Sequence, residues 1–327
     1  MKQKVRFWAG VVFSAASLVL AVKITNIEET WSALRQTDYY PLIPAMVALA
    51  LTLLGKVARW RLLFDSRHGH PPFGKAFSVL VIGQMINLLF PLRMGEVARA
   101  YFIGEMVGSN KPQAMATVVV EKVVDMLAAL LLVILLFLVM PFPEWLQRPV
   151  LGLAVVSAAL LIALIFLASQ RGRLSSLLGR ITAFLPSALQ PDYLRKQSDK
   201  FIEGLGALRD VRSMVLVVLL TGMVWLTSAI TNYYVFLSLN IDLPFIASVF
   251  LLLVLQVGVA VPAGPGRIGV FQYLTILALS VFVVAPERAL AAGVILYLLV
   301  NTPPIVLGLF FLWQYHFSLW RIKSLAP

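Results

Sequence analysis

The sequence predicts an all-α integral membrane protein arranged as an inverted repeat. Each unit is a span, a re-entrant hairpin and a second span, with an N-terminal helix and a cytoplasmic amphipathic segment added. Three observations predict it: an overwhelmingly apolar composition, a one-sided distribution of Lys and Arg among the connecting loops, and two hydrophobic stretches broken at matching positions by Pro, Gly and charge.

Of 327 residues, 60% are hydrophobic and 13% charged. A soluble domain carries about a quarter charged residues. One globule of this size cannot hide so much apolar surface, so lipid must solvate most of it. The length allows roughly seven or eight spanning segments of about 20 residues. The absence of cysteine excludes disulfides, Fe–S clusters and thiol catalysis. The net charge of +12 reports orientation and anionic lipid rather than nucleic acid.

The first segment, Phe7 to Val22, follows Lys2, Lys4 and Arg6 like the start of a signal peptide. No small-x-small cleavage site precedes Lys23, and many spans follow, so it is read as a retained helix. The runs Val150–Ser169, Met214–Leu239 and Ala289–Trp313 contain no Asp, Glu, Lys or Arg, and each is about long enough to cross. Tyr40–Trp60 and Ala114–Met140 are also spans. Arg59-Trp60-Arg61 reads as a snorkelling helix end in an aromatic belt, and Pro303-Pro304 as a kink in the last span.

Basic residues concentrate at the N-terminus, between Arg59 and Lys75, from Arg171 to Arg212, and at Arg321 and Lys323. The intervening loops, 23–38, 141–149 and 240–244, are mixed or poor in Lys and Arg. The positive-inside rule therefore puts both termini and the 170–212 region in the cytoplasm. Within that region Leu174, Leu177, Leu178, Ile181, Phe184 and Leu185 recur at helical spacing, as do Phe201, Ile202, Leu205 and Leu208. Amphipathic helices on the inner leaflet and a cytosolic helical hairpin both fit.

The two remaining stretches are interrupted. Ala76–Leu92 runs into Arg93-Met94-Gly95-Glu96-Val97-Ala98-Arg99, and Phe245–Val261 into Pro262-Ala263-Gly264-Pro265-Gly266-Arg267-Ile268-Gly269. Irregular backbone at membrane depth survives only where protein or water satisfies its polar groups. Such breaks in matching places of two halves point to a transporter's binding site. Pro91-x-x-x-Gly95 matches Pro262-x-x-x-Gly266 at an offset of 171 residues (262 − 91), with Gln84 and Gln256 at nearly the same distance before each break. The alternative is two ordinary spans joined by a loop. Loop charges bring the first hairpin in from the cytoplasm and the second from outside.

The chain thus divides into an N-terminal helix and external loop (1–38), a first repeat (39–140, hairpin 76–104) and a connecting span (141–169). A cytoplasmic segment (170–212), a second repeat (213–316, hairpin 245–285) and a tail (317–327) follow.

Ionisable residues inside membranes are costly and mark pathways by default. Arg93, Glu96 and Arg99 can share a helical face, as can Glu121 and Asp125; Arg267 sits at the second break. As structural clamps, Glu96 would meet Arg267, or Arg99 would meet Asp125. As a binding site, Arg93, Arg99 and Arg267 would hold an anion with help from the half-helix N-termini after Gly95 and Gly266, phosphate being the natural guest. Glu96, Glu121 and Asp125 would orient the arginines, or take a headgroup amine or a coupling proton. His68-Gly69-His70 lacks further metal ligands, and no nucleotide, hydrolase or zinc-protease motif is present. No cofactor, metal or catalytic residue is expected.

These residues resemble a known family. The runs Pro91-Leu92-Arg93-Met94-Gly95-Glu96-Val97-Ala98-Arg99, Val118-Val119-Val120-Glu121-Lys122-Val123-Val124-Asp125 and Pro265-Gly266-Arg267-Ile268-Gly269 resemble the flippase-like family. That family is the transmembrane region of lysylphosphatidylglycerol synthases together with its stand-alone relatives, and the likeness extends over nearly the whole chain. It implies a prokaryotic cytoplasmic-membrane protein that moves a phospholipid or a polyprenyl-phosphate-linked sugar between leaflets. Arg93, Glu96, Arg99, Glu121 and Asp125 then carry the first hairpin's function. In the second, many relatives have Gly-Gly-hydrophobic-Gly and then Glu, where this chain has Arg267 and Gln272. The synthases' aminoacyl-transfer domain is missing before Pro327, so aminoacylation is not expected. Two other functions fit the residues: a membrane-embedded glycosyl- or phosphotransferase using Glu96, Glu121 or Asp125 as base, and a non-transporting partner of a lipid-modifying enzyme.

Overall fold

In the computed structural model the described residues are 2–64, 69–90, 94–169, 211–258 and 264–316. Among them all regular structure is helical. In chain order the helices are α1 (Lys2–Lys23), α2 (Ile27–Arg35), α3 (Leu42–Leu62), α4 (Phe73–Leu89), α5 (Met94–Val107), α6 (Lys111–Phe137) and α7 (Glu144–Ser169). Then come α8 (Val211–Ser238), α9 (Phe245–Gly258), a 3₁₀ turn (Pro265–Arg267), α10 (Val270–Ser280) and α11 (Pro286–Gln314). The expected cytoplasmic segment 170–212 falls almost wholly outside the described residues, as do the break positions Pro91 and Pro262, the loop residue His68 and the tail 317–327.

Among the described residues three helices are individually long and apolar enough to cross a membrane: α3, α8 and α11. The long α6 carries Glu121, Lys122 and Asp125 midway. The hairpin arms are shorter: 17 residues in α4, 14 in α5, 14 in α9 and 11 in α10. At 1.5 Å per residue none reaches the roughly 30 Å of a hydrocarbon core. The region expected as an external loop contains a helix, α2, turned 84° from α1. Asn26 starts it, its Oδ1 accepting from the Glu28 N–H at 3.0 Å, and Glu28 and Glu29 oppose the helix dipole.

α3 and α8 pack along their lengths. A buried hydrogen bond between the Thr52 and Thr227 hydroxyls (2.7 Å) joins them, and Gly55 lets Val224 come close. Around this pair the first arm of each hairpin reaches across, α4 packing on α11 and α9 on α6, while the second arms α5 and α10 pack on α6 and α11. The buried core follows the same division. One cluster, with Ile82, Met85, Phe102 and Ile103, lies under the first hairpin. The other, with Phe236, Phe250, Val254 and Leu279, lies under the second.

Outside this core the protein is greasy. Leu131, Ile134, Phe137, Val218, Leu219, Val306 and Phe310 are among many large apolar side chains left exposed. Water-soluble monomers rarely expose contiguous apolar patches beyond a few hundred Å². The surface is that of an integral membrane protein.

Candidate functional site

Each hairpin is pinned by a polar side chain at its break. In the first, the Gly95 N–H donates to Asn87 Oδ1 (2.8 Å), stapling the start of α5 to the end of α4. The two arms touch at glycines: a methyl group on Gly95 would run into the Gly83 carbonyl, and one on Gly83 into the Arg99 side chain. In the second, Gly266 and Gly269 adopt the left-handed conformation (φ 73° and 88°), which glycine enters without penalty. Tyr297 donates its hydroxyl to the Gly266 carbonyl (2.7 Å), and Ser14 of α1 accepts from the Gly264 N–H (2.8 Å). Gln272, the residue near the acid of many relatives, accepts from the Gly269 N–H (2.7 Å) and caps α10. Several N–H groups expected to face an anion are therefore occupied by the protein itself.

The charges meet differently from either pairing the spacing suggests. Arg99 on α5 pairs with Glu121 on α6 at 2.6 Å. The other Glu121 oxygen pairs with Arg59 on α3 at 3.2 Å, and Arg59 also reaches Asp125 at 2.6 Å and the Thr221 hydroxyl at 3.2 Å. Glu96 pairs with Lys122 at 3.3 Å. The reading of Arg59-Trp60 as a lipid-facing helix end is corrected: both residues are fully buried. Trp60 donates its indole N–H to Thr117 Oγ1 (3.0 Å), and the Arg99 guanidinium stacks on its ring at 4.2 Å. The face of α3 bearing Arg59 and Trp60 turns into the protein because α6 offers carboxylates there, and a buried guanidinium needs them. Arg61 alone lies nearer the surface, donating to the Pro71 carbonyl at 2.7 Å.

Beside this network lies a polar cavity of about 280 Å³. Five of the six residues expected at the site reach its wall: Glu96, Arg99, Glu121, Asp125 and Arg267. Arg93 lies outside the described residues. Sequence reasoning missed Lys56, Asn87, Asn301 and the role of Gln84 and Gln256, which also line it. Signals existed for some. Gln84 and Gln256 stand at nearly the same distance before the two breaks, and Lys56 is three residues from Arg59, on the same side of α3. Pro304, within the double proline of α11, borders the cavity as well.

Two further spaces adjoin it. One of about 210 Å³ extends toward Phe271 and Tyr297 and shares Lys56, Ser228, Gln256, Arg267 and Asn301 with the first. The other is an apolar groove of about 470 Å³ among α6, α8 and α9, lined by Leu127, Leu131, Val218, Leu226 and Val249. It shares Trp225 and Leu252 with the polar cavity. Among the described residues no cluster of three His, Asp or Glu side chains is placed to hold a metal ion.

The family model described as the lysylphosphatidylglycerol synthase TM region matches residues 7–308. The chain belongs to this family. It is similar to UPF0104 membrane proteins of two archaea. It shares 25% identity over 303 residues with one from Methanothermobacter thermautotrophicus, covering 87% of this chain and 88% of that protein. It shares 28% over 227 residues with one from Methanocaldococcus jannaschii, covering 68% and 90%. It is also 26% identical to the glycosyltransferase AglD of Haloferax volcanii, over 94% of this chain but 54% of that protein. As a member of the TM-region family the chain is a membrane protein with transmembrane helices.

Proposed function

We propose that this protein is a flippase-like lipid translocase of the cytoplasmic membrane, moving a phosphate-bearing lipid between leaflets. The observation that carries the proposal is the junction of two unlike spaces. A polar cavity holding several charged side chains lies among apolar helices and shares a wall, at Trp225 and Leu252, with a groove that is apolar along α6, α8 and α9. A lipid has the same two-part character. Its headgroup would enter the cavity while its hydrocarbon stays in the groove and the surrounding bilayer, so neither part is desolvated wrongly.

The hairpins supply the means of movement in this proposal. Their arms are too short to cross, and the first arm of each packs on the last long helix of the opposite half. Both features favour re-entrant hairpins in an inverted repeat, and the loop charges favour entry from opposite faces with both termini cytoplasmic. Rocking one half against the other would open the cavity to each leaflet in turn. The Arg59–Glu121–Arg99–Asp125 network would keep the site's frame fixed during that motion.

The test is reconstitution of the purified protein in liposomes, following leaflet exchange of labelled anionic, zwitterionic and polyprenyl-phosphate lipids. Accelerated exchange of a phosphate-bearing lipid is expected. Exchange at the protein-free rate for every lipid, with the fold intact, would sink the proposal. The likeness to a protein named glycosyltransferase AglD favours a second reading, a transferase or its membrane partner handling lipid-linked sugars. Product formed from a donor sugar in the same vesicles would favour that reading.

A further inference from the structure

Of the basic side chains around the cavity, Arg59 and Arg99 are held by Glu121 and Asp125, and Lys122 by Glu96. Lys56 is different. It lines both the polar cavity and the space beside Tyr297. Among the described residues its ammonium has no hydrogen bond and no ion pair. Gln84 and Gln256 line the same cavity, and their side-chain amides likewise have no hydrogen-bond partner among the described residues. An ammonium and two carboxamides, half-buried at Lys56 and Gln84 and exposed at Gln256, thus present N–H donors to one open cavity without a protein acceptor among the described residues. Such donors are free to meet a ligand that enters, and a cation beside apolar helices favours an anion there.

The charge balance agrees. Lys56, Arg59, Arg99, Lys122 and Arg267 face three carboxylates, those of Glu96, Glu121 and Asp125. The described part of the site is therefore cationic, although its arginine–carboxylate core is matched.

We propose that Lys56, with Gln84 and Gln256, forms the phosphate-binding element of the cargo site. The buried arginines act as its rigid frame rather than as the ligands themselves. This rests on the lipid-translocase reading and names the group that recognises the substrate: a lipid whose headgroup carries phosphate, bound by one point charge and two amides. The glutamines come from the first arms of the two hairpins, at nearly the same distance before each break, so the phosphate would touch both hairpins at once and couple their positions.

The experiment measures binding to the full-length protein in nanodiscs. The probes are fluorescent phosphatidylglycerol, a polyprenyl phosphate, a phosphate-free diacylglycerol and inorganic phosphate as competitor. Lys56→Gln is expected to weaken binding of both phosphate lipids at least about tenfold, leaving diacylglycerol and the melting temperature unchanged. Lys56→Arg should restore most of the binding. Binding of the phosphate lipids by Lys56→Gln within about twofold of wild type would overturn the proposal. So would a Lys56-dependent site that takes inorganic phosphate in preference to either lipid. Leaflet exchange in the same preparations separates the two ideas. Lys56-dependent binding without exchange would sink the translocase and keep the lipid site. Undiminished exchange by Lys56→Gln would do the reverse.

Discussion

Arg99 and Glu121 meet at 2.6 Å across the junction of α5 and α6, each side chain about 95% removed from solvent. Through its second oxygen the same carboxylate holds Arg59, so one acid anchors the first hairpin to both α6 and α3. A pair of this kind contributes little compared with a well-packed apolar substitute, but breaking it strands a charge.

Glu121→Gln should therefore be among the most damaging single substitutions. It leaves two buried guanidiniums with one carboxylate, at a cost of about 3–5 kcal/mol. Glu96→Gln loses only the longer, more exposed pair with Lys122 and should cost no more than about 1 kcal/mol. Thermal unfolding of the purified variants in detergent compares them directly. Equal melting temperatures would show that the network does not hold the hairpin.

Gly95→Ala tests the crossing of α4 and α5. The added methyl meets the Gly83 carbonyl and the Asn87 side chain, so the arms must separate or the staple must break, at about 1–3 kcal/mol. Gly152→Ala in α7 meets nothing within 4 Å and should be neutral or stabilising by up to about 1 kcal/mol. Folded yield and melting temperature report both.

Gln272 distinguishes a cap from a cargo ligand. Gln272→Leu orphans the Gly269 N–H and should cost about 1–2 kcal/mol. Gln272→Glu keeps an acceptor oxygen at that place and should melt close to wild type. A Leu variant as stable as wild type would remove the capping role.

Gly222→Leu addresses the groove. No atom lies within 4 Å of a methyl placed there, and Gly222 borders the apolar space beside Trp225. The added side chain should narrow the hydrocarbon's route and slow lipid exchange several-fold while leaving the melting temperature unchanged. Exchange at the wild-type rate would mean that the chain leaves the cavity elsewhere.

The sequence made the helical membrane class legible because it depends on composition, and it made the breaks legible because Pro and Gly announce themselves. The shared face of Glu121 and Asp125 was also legible, since four residues bring side chains to one side of any helix. Their partners were not. Spacing says which residues share a face, but not which neighbouring helix that face meets, so Arg59 passed for an interfacial arginine. The same gap hid Lys56, whose ammonium meets no carboxylate within ion-pair distance among the described residues. The short α2 was concealed by its own polarity, although Asn26 followed by Glu28 and Glu29 is a helix-start signal.

The contact between Ser14 and Gly264 spans 250 positions of the chain. A methyl on Gly269 would run into the Ser14 carbonyl, so α1 lies tight against the second break. α1, made 250 positions before Gly264, thus waits for the second break before it finds its seat. Pairings of such sequence separation form late and leave apolar surface open meanwhile. α1 therefore cannot settle into its final place as soon as it is made. Nascent chains halted before residue 264 should hold α1 without its final neighbour, the stage at which an insertion chaperone would matter most.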